Sequence, residues 1–500
     1  MASDYSRGLL LAQKATGRDA SELERALSAS KVTVSIDPEM PAALLTAQVL
    51  LTTLRRGPGQ LILARESVPG PWIEQLATAV AAVDPEQPLT VTASPTNPGV
   101  QLHIGTGHFH AIRVVPDGHG AHIAGDPSAV ITPARPASPL GAIYAAALGA
   151  AEAFKWTARV LPARCVLHRH LRFCPVTLSS DLTAAPDLPP ALVFDLTQVG
   201  IGAIGTGTVL LLQALEAEGR LLAVDCERFG PENRGTYSLG GAAEVAATPW
   251  KADMARQALP RFDVTPFRQP VAELSAAIDS GDAPWFPVAL TALDTAAARR
   301  DAQRLWPDRL IDAGTGDTML GIHDHRHGRG PCLICFLPTD RSGPSAAERL
   351  ADATGLPLER AQRGDDPLTT EDLAQLTADQ QQTLAPHLGK PVCGLAQAIG
   401  LTCLGADGYQ PSIPFVSLQA ACLAVGRLIA SQLHLRPPGN LVQYDGLVGP
   451  QATTIEEMRP RPGCGCVTRS SAIEQVRRQR RAATAAHCPD ALDGAAVQTG

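Results

Sequence analysis

Apolar and polar positions along the first 110 residues follow two periods. Short strand-sized runs, KVTVSID (31–37), QLILAR (60–65), LTVTAS (89–94) and VQLHIG (100–105), are separated by segments with helical spacing around ALLTAQVLLTTL and WIEQLATAVAAV. Strands alternating with helices predict βαβ units and a mostly parallel sheet. The pattern returns after residue 190. Residues 191–196 are a short apolar run, 208–216 read as a buried helix, and LLAVD (221–225) is the next strand. Two long helices rich in small residues, within 138–160 and 415–433, each follow a Pro-containing loop and echo one another as a degenerate internal repeat would. The fold class is therefore α/β, with two Rossmann-like domains over 1–180 and 190–466 joined by the Pro-rich DLTAAPDLPPA. A plain unrelated α/β domain is the other reading of the first half. A segment of the second domain, 340–410, reads as a helical insert. The polar tail 467–500, with Arg477, Arg478, Arg480 and Arg481, reads as a helix that frays into disorder.

Between the strand at 191 and its helix, Gly200, Gly202 and Gly205 stand in G-x-G-x-x-G spacing, and Asp225 closes the next strand 20 residues after Gly205. Glycine allows the positive φ of such a turn and lets backbone N–H groups approach phosphate oxygens at a helix N-terminus. A carboxylate at the end of the following strand can accept hydrogen bonds from ribose hydroxyls. The loop predicts a dinucleotide or nucleotide site. The residues beyond the acid decide which. Glu227, Glu232-Asn233-Arg234, Lys251 in TPWKADMARQAL and Asp294 in VALTALDTAAARR follow in order, and a dehydrogenase requires no such series.

This order resembles the ThiF/E1 superfamily, the adenylating enzymes that activate ubiquitin-like and sulfur-carrier proteins. The resemblance implies ATP on Gly200, Gly202 and Gly205, ribose on Asp225, triphosphate on Asn233 and Lys251, Mg²⁺ on Asp294, and a catalytic contribution from Arg234 and Lys251. Two positions depart from the family pattern. Its Gly-Gly is Gly202-Ala203 here, and its Asn-Leu-x-Arg is Asn233-Arg234-Gly235-Thr236, which displaces Arg234 by two residues. The first half has no glycine loop and no such series, so it resembles the inactive member of a fused pseudodimer.

Cys332 and Cys335 form a C-x-x-C pair, and Cys464 and Cys466 a C-x-C pair. Two close pairs far apart in sequence suit a tetrahedral Zn²⁺ that ties the chain's end back to its domain. A redox pair and unbound thiols are the alternatives. The nearby His323, His325 and His327 read as a polar loop more readily than as metal ligands. Cys393, in HLGKPVCGLAQAIG, lies in the insert with Lys390 before it and a helix start behind it, both of which lower a thiol pKa. By resemblance it is the cysteine that takes an activated protein from AMP as a thioester. The bland reading is a packed cysteine at a helix start, and Cys403 is the next candidate nucleophile.

The fused pair, the Cys-bearing insert and the thiol pairs together look most like the E1 proteins of bacterial ubiquitin-like conjugation operons. That resemblance implies a ubiquitin-like protein and an E2-like protein as partners, and a role in defence against phage. A sulfur-carrier adenylyltransferase, a tRNA-modifying dehydratase, a leader-peptide-binding partner of a cyclodehydratase and an NAD-dependent enzyme are the competing readings. Composition narrows these. The formal charge is −7 and no basic stripe is visible, which disfavours nucleic acid as a partner. Eleven unevenly spaced cysteines, no signal-peptide pattern and no apolar run read as long enough to span a bilayer point to a reducing cytoplasm. Glu152 inside IYAAALGAAEAF suits a packed helix and not a membrane span. A monomer and a homodimer of pseudodimers both remain open.

Overall fold

A computed structural model of the chain describes residues 18–66, 68–93, 99–107, 111–158, 167–337, 346–362, 366–389 and 413–487, with isolated positions besides. The first half builds a sheet from β1 (Lys31–Ile36), β2 (Gln60–Ala64), β3 (Thr90–Thr92), β4 (Val100–Ile104), β5 (Ile112–Asp117), β6 (Gly120–Ala124) and β7 (Leu171–Phe173) in the order β3-β2-β1-β4-β5-β6-β7. The first five are parallel, and β6 and β7 are antiparallel. The second half builds its sheet from β8 (Val193–Val199), β9 (Glu218–Val224), β10 (Phe262–Phe267), β11 (Val288–Thr291), β12 (Arg309–Gly316), β13 (Met319–Arg326), β14 (Leu441–Asp445) and β15 (Thr454–Glu456). Its order, β10-β9-β8-β11-β12-β13-β14-β15, repeats that of the first sheet and adds one edge strand. The switch from parallel to antiparallel falls at the same place, between β12 and β13.

Four helices join the halves: α1 (Ala43–Arg55), α2 (Pro139–Thr157), α3 (Ala203–Ala214) and α4 (Pro414–Gln432). The two long helices, α2 and α4, are the echoing segments of the sequence. Each precedes the seventh strand of its sheet. They pack on one another, with α1 against α2 and α3 against α4. Small residues are needed there because the backbones come close: a Cβ on Gly207 of α3 would stand 2.9 Å from the Cβ of Ala421. The Tyr144 and Tyr444 hydroxyls meet at 3.1 Å and the Phe154 and Phe415 rings at 5.3 Å, so one continuous apolar core crosses the seam. Glu152 is fully buried on α2, paired with Lys155 at 2.5 Å and accepting from the His168 N–H at 2.8 Å.

The structure corrects one expectation and details another. The helix α4 is long and apolar enough to cross a membrane by length and composition, though it is nearly all buried within the protein. The C-terminal helix expected in the tail spans Ser470–His487 and docks through Ile473, Arg477 and Arg480, which are buried, while 488–500 lie outside the described residues. Arg480 donates to both carboxylate oxygens of Asp279 and to the Arg304 and Leu305 carbonyls. Arg477 pairs with Asp308 and Glu474. Apart from Glu474, one turn back on the same helix, the carboxylates and carbonyls they meet come from segments 275–308, and nothing local in the tail announces those.

The connection from β13 to α4 is where the second half outgrows the first. It holds the C-x-x-C pair and then short helices at Ala346–Thr354, Leu358–Gln362, Thr370–Ala374 and Ala378–Leu384. These close a small core of their own around Leu350, Leu356, Leu368 and Leu384. Cys393 and Cys403 lie outside the described residues.

Candidate functional site

The glycine loop leaves β8 and enters α3 at the point where the strand order reverses, between β8 and β11, the usual ligand crevice of an open α/β sheet. Gly200 has φ +85°, and a Cβ on it would stand 2.5 Å from the Ala292 carbonyl oxygen. A Cβ on Gly205 would stand 2.1 Å from the Gly200 oxygen. Both glycines answer to chain packing. Gly202 does not: a Cβ there would meet nothing closer than the Tyr237 hydroxyl at 3.6 Å. It is the N-cap of the 12-residue α3, which has no side-chain cap, so its positive end is left for a ligand. Gly200→Ala should therefore destabilise the fold by about 1–3 kcal/mol, whereas Gly202→Ala should melt as the parent does and bind nucleotide less well. Thermal melting and ATP calorimetry on the two variants check the split.

Asp225 follows β9 directly. Its Oδ2 accepts from the Ile201 N–H at 2.7 Å and its Oδ1 from the Glu227 N–H at 2.9 Å, so it braces the loop. A carboxylate has about four acceptor directions, which leaves room for ribose hydroxyls. Burial pushes its pKa up to about 6, against the pull of Lys251. A group whose folded pKa is raised adds stability that is fully present below its ordinary value of 3.8 and is lost as pH rises through about 6. Asp225→Asn should flatten the dependence of the melting temperature on pH across that window.

Lys251 opens the helix Lys251–Ala258 and is 2% exposed. Its ammonium pairs with the Glu227 carboxylate and lies 5.2 Å from the Tyr237 ring centroid. Burial opposes its charge, but Tyr237, Glu227 and Asp225 outweigh this and hold its pKa well above the usual lysine value. Glu227 and Tyr237 are the site residues whose roles the sequence reading misses. An acid two residues after Asp225 was the available signal for the first. Tyr237 carries no local signal.

Asn233 is buried in the short helix Pro231–Arg234, where its Oδ1 accepts from the Gly230 N–H at 2.8 Å. Arg234 faces Asp84 of the first half, 3.9 Å away. Asp294 is exposed in the bend after β11. The Ala292 N–H just before that bend donates to the Val199 carbonyl at the end of β8, and Arg299 Nε, on the helix that follows, donates to the Leu293 carbonyl, each at 2.8 Å. An exposed carboxylate is the kind of oxygen ligand that Mg²⁺ takes.

The four thiols come together. Cys332 lies 3.5 Å from Cys464 and 3.7 Å from Cys335, Cys335 lies 3.6 Å from Cys466, and all four sulfurs fall within 4.8 Å of one another. A tetrahedron with metal–sulfur bonds of about 2.3 Å has sulfur–sulfur edges of about 3.8 Å, so the cluster has the size of a metal site. The three histidines are not a polar loop. His323 and His325 lie on β13, where His323 meets Asp312 at 3.4 Å and stacks on Phe336, and His325 is buried. His327, just beyond the strand, faces Glu474 at 3.5 Å. β-pairing with β12 and β14 orders what reads as polar sequence.

No family model matches the chain. Among curated proteins it is similar to the uncharacterized protein y4jF of Sinorhizobium fredii (strain NBRC 101917 / NGR234), 30% identical over 225 residues, which are 44% of this chain and 42% of that protein. Among solved structures it is similar to E. coli MccB at 13% identity, over 56% of this chain and 65% of that one, with a TM-score of 0.33. It is also similar to PaaA at 14% identity, over 53% and 64%, with a TM-score of 0.32. The chain thus spans less than half of the curated relative and about two thirds of each of these two solved chains.

Proposed function

We propose that this chain is an ATP-dependent adenylating enzyme of the ThiF/E1 type that activates the C-terminal carboxylate of a ubiquitin-like protein. The observation that carries the reading is the gathering of Asp225, Glu227, Lys251 and Tyr237 beside the open face of Gly202, at the strand ends where the sheet order reverses. In the reaction a carboxylate oxygen of the carrier attacks the α-phosphorus of ATP. The bond to the β-phosphate breaks, and pyrophosphate leaves. Lys251 supplies positive charge where negative charge builds, which is the usual largest contribution in phosphoryl and acyl transfer. Asp225 orients the ribose. Asp294 would hold Mg²⁺, which when bound would neutralise phosphate oxygens. The four thiols would hold a structural Zn²⁺, since a closed Cys₄ set leaves no position for a substrate.

The second step assigns Cys393 as nucleophile. Its thiolate attacks the acyl carbonyl carbon, AMP leaves, and the resulting thioester passes to an E2-like partner in the cytoplasm. Support for this step comes from the sequence resemblance and from the short helices of the insert that precede the cysteine. Cys393→Ala is expected to erase a reductant-sensitive band shifted upward by one carrier protein on a gel, and to leave carrier-dependent pyrophosphate exchange nearly intact. An unchanged band moves the nucleophile to Cys403. Asp294→Ala is expected to abolish the exchange, and exchange at the parent rate would overturn the adenylation reading itself.

A further inference from the structure

We infer that the first half of the chain is a positioning element for the nucleotide site of the second, acting through Arg56 on residues 234–241; the inference rests on the nucleotide reading above. Arg56 directly follows α1 and is 5% exposed. Its Nη1 donates to the Arg234 carbonyl at 2.6 Å, and its Nη2 donates to the Ser238 and Gly240 carbonyls, each at 3.1 Å. One guanidinium from the first half therefore spans a turn of the second. Those carbonyls bracket Tyr237, whose ring lies beneath the Lys251 ammonium and whose hydroxyl borders the open face of Gly202. The same turn is fastened to the glycine-loop helix, because the Ser238 N–H donates to Thr206 Oγ1 at 3.1 Å.

Two further contacts support the turn from the same side. Arg234 faces Asp84, which is itself buried, and Gly241 lies so close to the first half that a Cβ would stand 2.0 Å from the Ala82 carbonyl oxygen. A planar fork with several fixed donors can hold three carbonyls at once, which a lysine ammonium on a flexible stem does not reproduce. Carbonyls that lose a buried charged donor are costly to leave unmatched, so the turn should loosen when the fork is removed. Arg56 acts through the carbonyls of Arg234, Ser238 and Gly240. It is a positioning residue, and it gives the half without a glycine loop a task at the site.

The test uses the full chain with Arg56→Gln and Arg56→Lys. Three quantities are read: amide hydrogen exchange of 234–241 without nucleotide, the ATP dissociation constant by calorimetry, and bound metal. In R56Q, exchange across 234–241 should rise at least tenfold and ATP affinity should fall at least tenfold. Exchange in the helical segment 346–389 and the metal content should stay at parent values, which a general loss of stability would not allow. R56K should fall between and serves if R56Q does not fold. Unchanged exchange at 234–241, or unchanged ATP affinity beside a parent that binds ATP, overturns the inference alone. A parent chain that binds no ATP overturns the nucleotide reading instead.

Discussion

Lys251→Ala is expected to lower carrier-dependent pyrophosphate exchange by about 10²–10³-fold, the range found when one preorganised charge or donor is removed from a transition state. The side chain is buried, and its ammonium stands among Asp225, Glu227 and Tyr237. No other residue of that group brings a positive charge to the glycine loop. Removing it leaves two carboxylates where, on the proposed function, phosphate oxygens would bind. Stability should change little by comparison, because the Glu227 side chain that loses its partner is about half exposed and can be solvated. Exchange rates and a thermal melt of the same sample separate the two effects. A variant within threefold of the parent rate would remove Lys251 from the chemistry.

The purified chain is expected to carry about one equivalent of zinc, and Cys332→Ser or strong chelation should lower its melting temperature by more than about 10 °C, since metal binding to a closed site is also folding free energy. The cluster joins residues 332–335 to 464–466, across more than 130 positions of chain. The Arg461 N–H adds a bond of 3.4 Å to the Cys335 sulfur. Releasing the metal should therefore free the stretch that leads into the docked helix Ser470–His487, and trypsin should cut near Arg461 and Arg469 sooner than in the parent. Metal analysis under reducing conditions decides the first part. Less than about half an equivalent would count against the site, because closed four-ligand zinc sites hold their metal.

Much of the architecture was legible because it is written in local periods. The alternation of strand and helix in 31–105, the echo of α2 in α4, and the glycine loop with its strand, helix and acid are short-range patterns, and each element formed close to where its pattern lay. The helix after the loop begins at Ala203, ahead of the 208–216 run, because residues before the apolar stretch take helical form to present the N-terminus at the loop. The pairing of the four cysteines was legible as well, since spacing of two or three residues already places sulfurs on one turn.

What lay beyond reach were relations between distant segments. The sequence by itself determined the repeating α/β plan, the place of the glycine loop between strand and helix, and the thiol pairs, since propensity, period and spacing act over a few residues. Only the tertiary structure decided that both sheets share one strand order, that Glu227 takes the ammonium of Lys251, that Arg234 turns to Asp84, and that His323 and His325 join a sheet. It alone turned the arginine-rich tail into a docked helix by placing Asp279 and Asp308 beside it. A charged side chain chooses its partner by where the whole chain has carried the opposite charge, and no local pattern records that choice.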